Sequence, residues 1–238
     1  MKKGDARRGE LLAAAERLFY TKGYEKTSVQ DILTEIGFSK GGFYHHFDSK
    51  LAVLDAICQQ RAQACCEQAR CAAEAEQDSA VDKLNALFHS APLWSSENQS
   101  FVSLLIRVAY REDGALMREK MKQCQLDGMQ ALMEEIIALG VHTKEFFVTD
   151  VPAAATLLLR LYMQFTDDIA FLLAGEESET QLMDAALRKL NVYRSAIERV
   201  LVAPFGSIVL FEGREIQLLG QSILRERLRR RADEMLAR

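Results

Sequence analysis

Residues 38–47 read FSKGGFYHHF, a stretch in which two adjacent glycines are surrounded by aromatic and histidine side chains. Each glycine inside a helix costs about 1 kcal/mol relative to alanine. Phe43 and Phe47 are spaced i, i+4 and therefore share one face of a helix, and Ser39 is a favourable N-cap. The pattern predicts a short helix of about two turns that neighbouring segments hold through its phenylalanines.

The residues before this stretch predict two further helices. Residues 6–22 are amphipathic, and Gly23 follows as a stop signal. The apolar positions of this helix are Leu11, Leu12, Ala15, Leu18 and Phe19. A second helix is predicted where Thr27 and Gln30 form a capping-box pattern. Its apolar positions are Val29, Ile32, Leu33 and Ile36. Gly37 ends it, and Asp48 or Ser49 caps a fourth, longer helix that begins near Lys50.

The order of these elements predicts a helix-turn-helix. The second helix is followed by a three-residue turn and then by the short glycine-containing helix. Gly41 and Gly42 leave the helix surface clear for close approach, and the first turn after Ser39 can direct backbone N–H groups at a phosphate. Lys40 and Tyr44 project away from the phenylalanines, with His45 beside them. A helix of this kind suits contact with DNA.

At this point the sequence resembles a known family. The stretch from Arg8 to Ile57 is similar to the DNA-binding domain of TetR-type regulators, the tetracycline-repressor family, through LFYTKGYEKTSV, IGFSKGGFYHHF and DSK in the same order and spacing. It departs at Gly42, where the family often has Thr, Ala or Ser, and at Ala52, where an acidic residue is common. The missing side chain at Gly42 implies less direct base readout from that position.

The resemblance implies a set of DNA-contacting residues. They are Thr27, Ser28, Ser39, Lys40, Gly41, Gly42, Tyr44, His45 and Lys50. Thr27 and Ser28 would place the start of the second helix against the DNA backbone. Ser39 and Lys40, at the start of the third helix, would enter the major groove. Tyr44 and His45 would meet phosphates, while Lys50 would anchor the start of the next helix. Lys40 is the predicted base contact.

Composition and charge fit this interpretation. The 238 residues carry a net charge of -4. Residues 1–50 hold nine Lys and Arg against seven Asp and Glu, a charge of +2, which leaves -6 for the remaining 188. A basic N-terminal part on an acidic body indicates a polyanionic partner. No signal peptide is apparent, and the longest apolar stretch is interrupted by Arg160, Asp167 and Asp168, so we expect a cytoplasmic protein without membrane spans.

The residues from 51 to about 203 read as successive amphipathic helices. Helices at roughly 151–174 and 179–202 are the candidates for dimerisation, as pairs in an intermolecular four-helix bundle. One broad apolar face of the first would comprise Leu157, Leu158, Leu161, Phe165, Ile169 and Leu172. A polar stripe would comprise Arg160, Gln164, Asp167 and Asp168. The stripe is open to three interpretations: a ligand contact, a solvated face or an internal salt bridge.

TetR-type proteins usually enclose a small-molecule pocket within the body, so the resemblance implies one here. Aromatic, flexible or polar residues on otherwise apolar helices are the candidate lining, although each also suits an ordinary core. They are Trp94, Phe101, Arg107, Tyr110, Met129, Met133, Tyr162, Met163 and Phe165. An apolar or amphipathic effector of unknown identity is expected, and no cofactor is predicted.

The histidines and cysteines suggest two alternative chemistries, metal binding and thiol sensing. The pair His45–His46 could suggest a metal, but no nearby Cys or carboxylate completes a ligand set. Cys58 and Cys65 are seven residues apart on one predicted helix, about 10.5 Å, which is too far for a disulfide. Reduced thiols are the expectation in the cytosol, with thiol sensing as the alternative.

Taken together, the sequence predicts an all-α chain. Residues 1–50 form a three-helix helix-turn-helix DNA-binding domain. Residues 51–238 form a helical effector-binding and dimerisation domain that ends in a basic helix with five Arg within 225–231. This basic helix is open to three interpretations: a solvated helix, an ion-pair network between subunits or a second contact with DNA. The predicted function is a homodimeric transcription regulator, a repressor released from a near-palindromic operator by a ligand. The rival functions are an enzyme with a helical pocket and a DNA-binding architectural protein without an effector.

Overall fold

The computed structural model describes residues 3–76, 79–90, 106, 110, 114–211 and, between 214 and 228, all except 219, 223, 226 and 227, with side chains from residue 6 onward. Within these residues the chain is all-α and contains no strand. The described residues divide into two compact units: those within 1–64 and 104–124, and those within 65–103 and 125–238. The predicted pocket residues Trp94, Phe101 and Arg107 and most of the Arg-rich C-terminal stretch lie outside the described residues.

The first unit opens with the three predicted helices. They are α1 (Lys3–Lys22), α2 (Val29–Ile36) and α3 (Lys40–His46). A fourth, α4 (Lys50–Ala75), begins in this unit and ends in the second. Leu11, Ala15 and Phe19 bury the predicted face of α1. Gly23, with φ +94°, takes the chain out of α1 in a conformation that favours glycine.

The second unit contains the remaining helices and the rest of α4. They are α5 (Ala80–His89), α6 (Ala115–His142), whose first residues belong to the first unit, α7 (Val151–Ala174) and α8 (Glu179–Leu201). The last two confirm the helices predicted at 151–174 and 179–202. Asp150 caps α7 by accepting a hydrogen bond from the Ala153 N–H at 3.0 Å, and Ser178 and Gln181 form a capping box on α8.

The start of α5 is held by a carboxylate that lies far away in sequence. Glu145, in the loop between α6 and α7, accepts hydrogen bonds from the Ser79 hydroxyl at 2.8 Å and from the backbone N–H groups of Ala80 and Val81 at 3.0 and 3.1 Å. Burial alone would raise the pKa of Glu145, but hydrogen bonds from Thr143, Ala80, Ser79 and Val81 outweigh it and lower the pKa to about 2. Glu145 therefore fixes the loop to α5 as a charged group.

The face of α7 differs in part from the prediction. Leu158, Phe165 and Ile169 are buried as expected. Leu157, predicted on the same broad apolar face, is 44% exposed in the single chain, because one residue corresponds to about 100° around a helix and it points away from its neighbour Leu158. After α8 the chain turns at Val202 and continues without a strand through Phe211; described residues between 214 and 228 are helical.

Candidate nucleic-acid interface

The cap of α2 lies one residue later than predicted. Ser28, in an extended conformation, accepts a hydrogen bond from the Asp31 N–H at 3.1 Å, and the Asp31 carboxylate accepts one from the Ser28 N–H at 2.7 Å. The capping box predicted for Thr27 and Gln30 was therefore wrong. Thr27 is turned inward, because its hydroxyl donates to the Gly23 carbonyl at 2.7 Å and its side chain is buried.

The turn between α2 and α3 has the predicted length and ends. Gly37 adopts the left-handed conformation with φ +64° and donates its N–H to the Leu33 carbonyl, which closes α2. Ser39 is the N-cap of α3, since its hydroxyl accepts a hydrogen bond from the Gly42 N–H at 3.1 Å. These two caps fix where α2 stops and where α3 starts, and so confirm the helix-turn-helix.

Two phenylalanines hold α3 in place, as predicted. Phe43 is fully buried and Phe47 is 6% exposed. Their ring centroids lie 6.4 Å apart. On the opposite side Lys40, Tyr44 and His45 are exposed, with Tyr44 at 49%. The predicted outward side of α3 is thus open within the first unit, and it carries a cation, a phenolic hydroxyl and an imidazole.

The two glycines of α3 have different surroundings. A Cβ placed on Gly41 would meet nothing within 4 Å. A Cβ placed on Gly42 would lie 2.7 and 2.9 Å from two atoms of the Phe38 ring. The expectation that both glycines clear the surface for close approach therefore applies at Gly41 only. At Gly42 the missing side chain makes room for Phe38, a residue of the turn that sequence reasoning did not single out.

Alanine substitutions separate these two roles. Both changes bring the same gain in helix propensity, about 1 kcal/mol, but only Gly42→Ala must displace the Phe38 ring. We expect Gly41→Ala to exceed Gly42→Ala in free energy of unfolding by about 1–2 kcal/mol, as measured by chemical denaturation. If the two variants are equally stable, the Phe38 ring moves at no cost and its contact with Gly42 is unimportant.

Lys50 points into the protein. Its ammonium donates to the carbonyls of Tyr24 at 2.8 Å and Thr27 at 3.0 Å, and it lies 4.1 Å from the centroid of the Tyr24 ring. Ser49 caps α4 by accepting a hydrogen bond from the Ala52 N–H at 3.1 Å. Lys50 therefore ties the start of α4 to the segment that leads into α2, which fits the anchoring role that the resemblance implied.

The polar stripe predicted on α7 is divided between two environments. The Asp168 carboxylate accepts hydrogen bonds from Lys189 at 2.7 Å, from Tyr193 at 3.0 Å and from Gln164 at 2.9 Å. Asp167 is 5% exposed. Arg160 is exposed. The internal salt bridge, one of the three interpretations, is the observed arrangement for Asp168, and it links α7 to α8.

The described members of the predicted pocket are mostly core residues. Met133 and Phe165 are fully buried, and Tyr162 donates its hydroxyl to the Phe88 carbonyl and stacks on the Phe88 ring at 4.5 Å. Met129 is buried and Met163 is half-buried. Tyr110 belongs to the other compact unit. The pocket stays a prediction.

One cavity lies inside the first unit, against Tyr20, Cys58, Arg61 and Met117. Its volume of about 10 Å³ is enough for a single water molecule. Arg61 donates from Nε to Glu16 at 2.5 Å beside it. This cavity is too small for an organic effector.

Two of the four thiols on α4, those of Cys58 and Cys65, are poorly suited to redox chemistry. Burial raises the pKa of the Cys58 thiol to about 12 and that of Cys65 to about 11. Because the thiolate is the reactive form, both groups are protonated and unreactive at neutral pH. All five cysteines are free in the structure.

These features define a helix-turn-helix protein, and comparison with known proteins gives its type. Residues 11–57 match the family described as "Bacterial regulatory proteins, tetR family". The N-terminal part of the chain therefore carries the DNA-binding domain of that family. Over these residues the match favours the predicted DNA-binding regulator over the rival interpretation as an enzyme. Among the described helices, none has the length and apolar content that a bilayer span requires.

Curated relatives match over the same N-terminal stretch. An HTH-type transcriptional regulator from the lacX 3' region of Lactococcus lactis subsp. lactis is 52% identical over 50 residues, 19% of this chain and 26% of the relative. The repressor KstR2 of Rhodococcus jostii is 47% identical over 51 residues, 21% of this chain and 25% of the relative. The matched stretch thus spans about a quarter of the length of these relatives.

Solved structures match over most of the chain. A TetR-family regulator from Pectobacterium atrosepticum has a TM-score of 0.57 and 20% identity, covering 86% of this chain and all of that one. RolR, solved in complex with resorcinol, has a TM-score of 0.52 and 16% identity, covering 90% of this chain and 94% of that one. At these identities the likeness concerns the fold alone, an all-α architecture that extends beyond the N-terminal domain.

Proposed function

We propose that the protein is a sequence-specific DNA-binding transcription regulator. The observation that carries this proposal is the construction of α3: Phe43 and Phe47 are buried, while Lys40, Gly41, Tyr44 and His45 form an open outer side. A helix in this setting fits the major groove, where base edges are distinguishable. The family match over residues 11–57 supports the same function.

The individual contacts follow from where each side chain lies. Lys40, near the N-terminus of α3, is assigned to a base edge, and Ser39 accompanies it into the groove. Tyr44 and His45 are assigned to phosphates, and Gly41 allows the backbone of α3 to approach the duplex. Ser28, exposed at the start of α2, is assigned to the DNA backbone. Thr27 and Lys50 hold these elements in place from inside.

The proposed assembly is a homodimer formed through α7 and α8. Apolar side chains on these helices are exposed in the single chain: Leu157 at 44% and Phe171 at 47% on α7, and Leu187 at 41% and Val192 at 68% on α8. Pairing the two helices with those of a second copy would cover them. A two-fold axis there would place the two α3 helices about one DNA turn apart, roughly 34–36 Å, on a near-palindromic operator.

We propose that a small molecule controls this binding from the cytoplasm. RolR, which shares the fold, was solved with resorcinol, and this supports an effector for the present chain. Among the named relatives KstR2 is a repressor and FasR of Mycolicibacterium smegmatis is an activator. Release on effector binding, as in a repressor, requires that the effector bind more tightly to the shape that does not fit DNA.

The experiment that tests the proposal is selection of bound fragments from the source genome, followed by affinity measurements with Lys40→Met. Loss of a base contact should weaken operator binding by about 1–3 kcal/mol and relax sequence preference at one position. Tyr44→Phe should instead weaken binding to operator and unrelated duplexes alike, since phosphates carry no sequence. Fluorescence anisotropy on both duplexes distinguishes the two results.

Two outcomes would contradict the proposal. If the wild-type protein enriches no fragment, and its affinity for DNA does not fall steeply with salt, it does not bind DNA through phosphate neutralisation. If it does bind but Lys40→Met and Tyr44→Phe bind normally, the outer side of α3 is not the contact surface.

A further inference from the structure

Two consecutive arginines at the start of α1 lie beside α3. The Arg7 guanidinium carbon is 5.7 Å from the centroid of the Phe38 ring, and that of Arg8 is 5.0 Å from the centroid of the Phe47 ring. Phe38 precedes the N-cap of α3, and Phe47 is its C-cap. The two cations therefore stand next to the two ends of the helix that is proposed to read DNA.

The position of Arg7 depends on Gly42. Because Gly42 has no Cβ, the Phe38 ring can lie against α3, where it also comes within 6.3 Å of the His46 ring. Arg7 lies over this ring. A cation over an aromatic ring is weakly attracted to it at an exposed site, which orients the guanidinium without neutralising it.

Both guanidiniums are available to an anion. Arg7 pairs with Glu10 at 3.0 Å, but these side chains are 52% and 54% exposed, and an exposed pair of this kind contributes little. Arg8 has no ion pair within the part of the chain that the structure describes. Arg17, further along α1, pairs with Glu35 of α2 at 2.8 Å, with side chains 56% and 39% exposed.

We propose that Arg7 and Arg8 bind two phosphates of the DNA backbone beside the groove that receives α3. This inference rests on the proposed function and extends its contact surface from α3 to the first turns of α1. Guanidinium groups suit this role, because their planar N–H donors match phosphate oxygens. Since phosphates are common to all sequences, the two arginines add affinity but no sequence preference.

The test compares Arg7→Gln, Arg8→Gln and the double variant with Arg17→Gln, which removes the same charge from the same helix. Affinity is measured for a genome-selected operator and for an unrelated duplex over a series of salt concentrations. Each phosphate contact contributes a slope of about -0.9 to the plot of log affinity against log salt. The double variant should therefore be shallower by about 1.8 than the wild type.

Each single variant should bind both duplexes roughly five- to tenfold more weakly near 0.1 M salt, with an unchanged ratio between operator and unrelated DNA. Arg17→Gln should keep the wild-type slope. Circular dichroism and thermal unfolding confirm that the variants are folded.

The inference is overturned if the double variant has the slope of Arg17→Gln. A changed ratio between the two duplexes would mean base contact in place of phosphate contact, and would overturn the sequence-independent assignment. If the wild type binds neither duplex, the proposed function fails as well, whereas normal operator binding with an unaltered slope in the double variant refutes this inference alone.

Discussion

Phe43→Ala is expected to lower the free energy of unfolding of the N-terminal helices by about 3–5 kcal/mol and to abolish DNA binding. Phe43 is fully buried and its ring lies next to that of Phe47. Two glycines leave α3 with little helix propensity of its own. Removing Phe43, the more deeply buried of its two phenylalanines, therefore removes most of the packing that holds α3 in place. Hydrogen exchange of the α3 amides and chemical denaturation of the full chain measure the loss.

The adjacent residue provides the matched control. Tyr44 is 49% exposed on the outer side of α3, so Tyr44→Ala should change the free energy of unfolding by no more than about 0.5 kcal/mol and still weaken DNA binding. Wild-type protection of the α3 amides in Phe43→Ala would show that the phenylalanines do not hold this helix.

Lys50→Met should cost the second largest amount of stability, about 2–3 kcal/mol. Hydrogen bonds to a charged donor contribute about 1.5–3 kcal/mol, and the Lys50 ammonium makes two of them, to Tyr24 and Thr27, in a partly buried setting. Methionine keeps the aliphatic length but leaves the Thr27 carbonyl without this donor. Tyr24 keeps a second partner, the Thr27 N–H at 3.2 Å. Urea denaturation measures the change.

Lys40→Met is the control, because Lys40 is exposed and has no ion pair among the described residues. It should retain wild-type stability while losing DNA affinity. Lys50→Met should instead lose stability. At temperatures where this variant remains folded, its DNA affinity should depend on salt as that of the wild type does. A shallower dependence would mean that Lys50 also neutralises a phosphate, contrary to the anchoring role.

Much of the DNA-binding domain could be predicted from local sequence. The length of the turn, its closure at Gly37, the cap at Ser39 and the burial of Phe43 and Phe47 are all confirmed. These features depend on residues at most five positions apart, and each follows from caps and helix periodicity that a sequence displays directly. The same applies to the bounds of α7 and α8.

Other features depend on contacts that capping rules and helix periodicity do not specify, some of them local and some between distant residues. Thr27 and Ser28 are both good N-caps. The Thr27 hydroxyl donates a hydrogen bond to the Gly23 carbonyl, and Ser28 is the cap. The spacing of Gly42 could suggest an open surface, but its actual neighbour is the ring of Phe38 across the turn. The contact of Glu145 with α5 spans 65 residues, and the partners of Asp168 lie on another helix. No local pattern encodes such pairs.

The carboxylate that clamps the first turn of α5 also restricts which signals can reach this helix. A depressed folded-state pKa contributes stability above the ordinary value of 4.5, and this contribution is lost as the pH falls through about 2. Glu145 therefore stays ionised at neutral and mildly acidic pH. Protonation of Glu145 therefore does not release α5 from the loop in this pH range, and the two separate only when the loop is displaced.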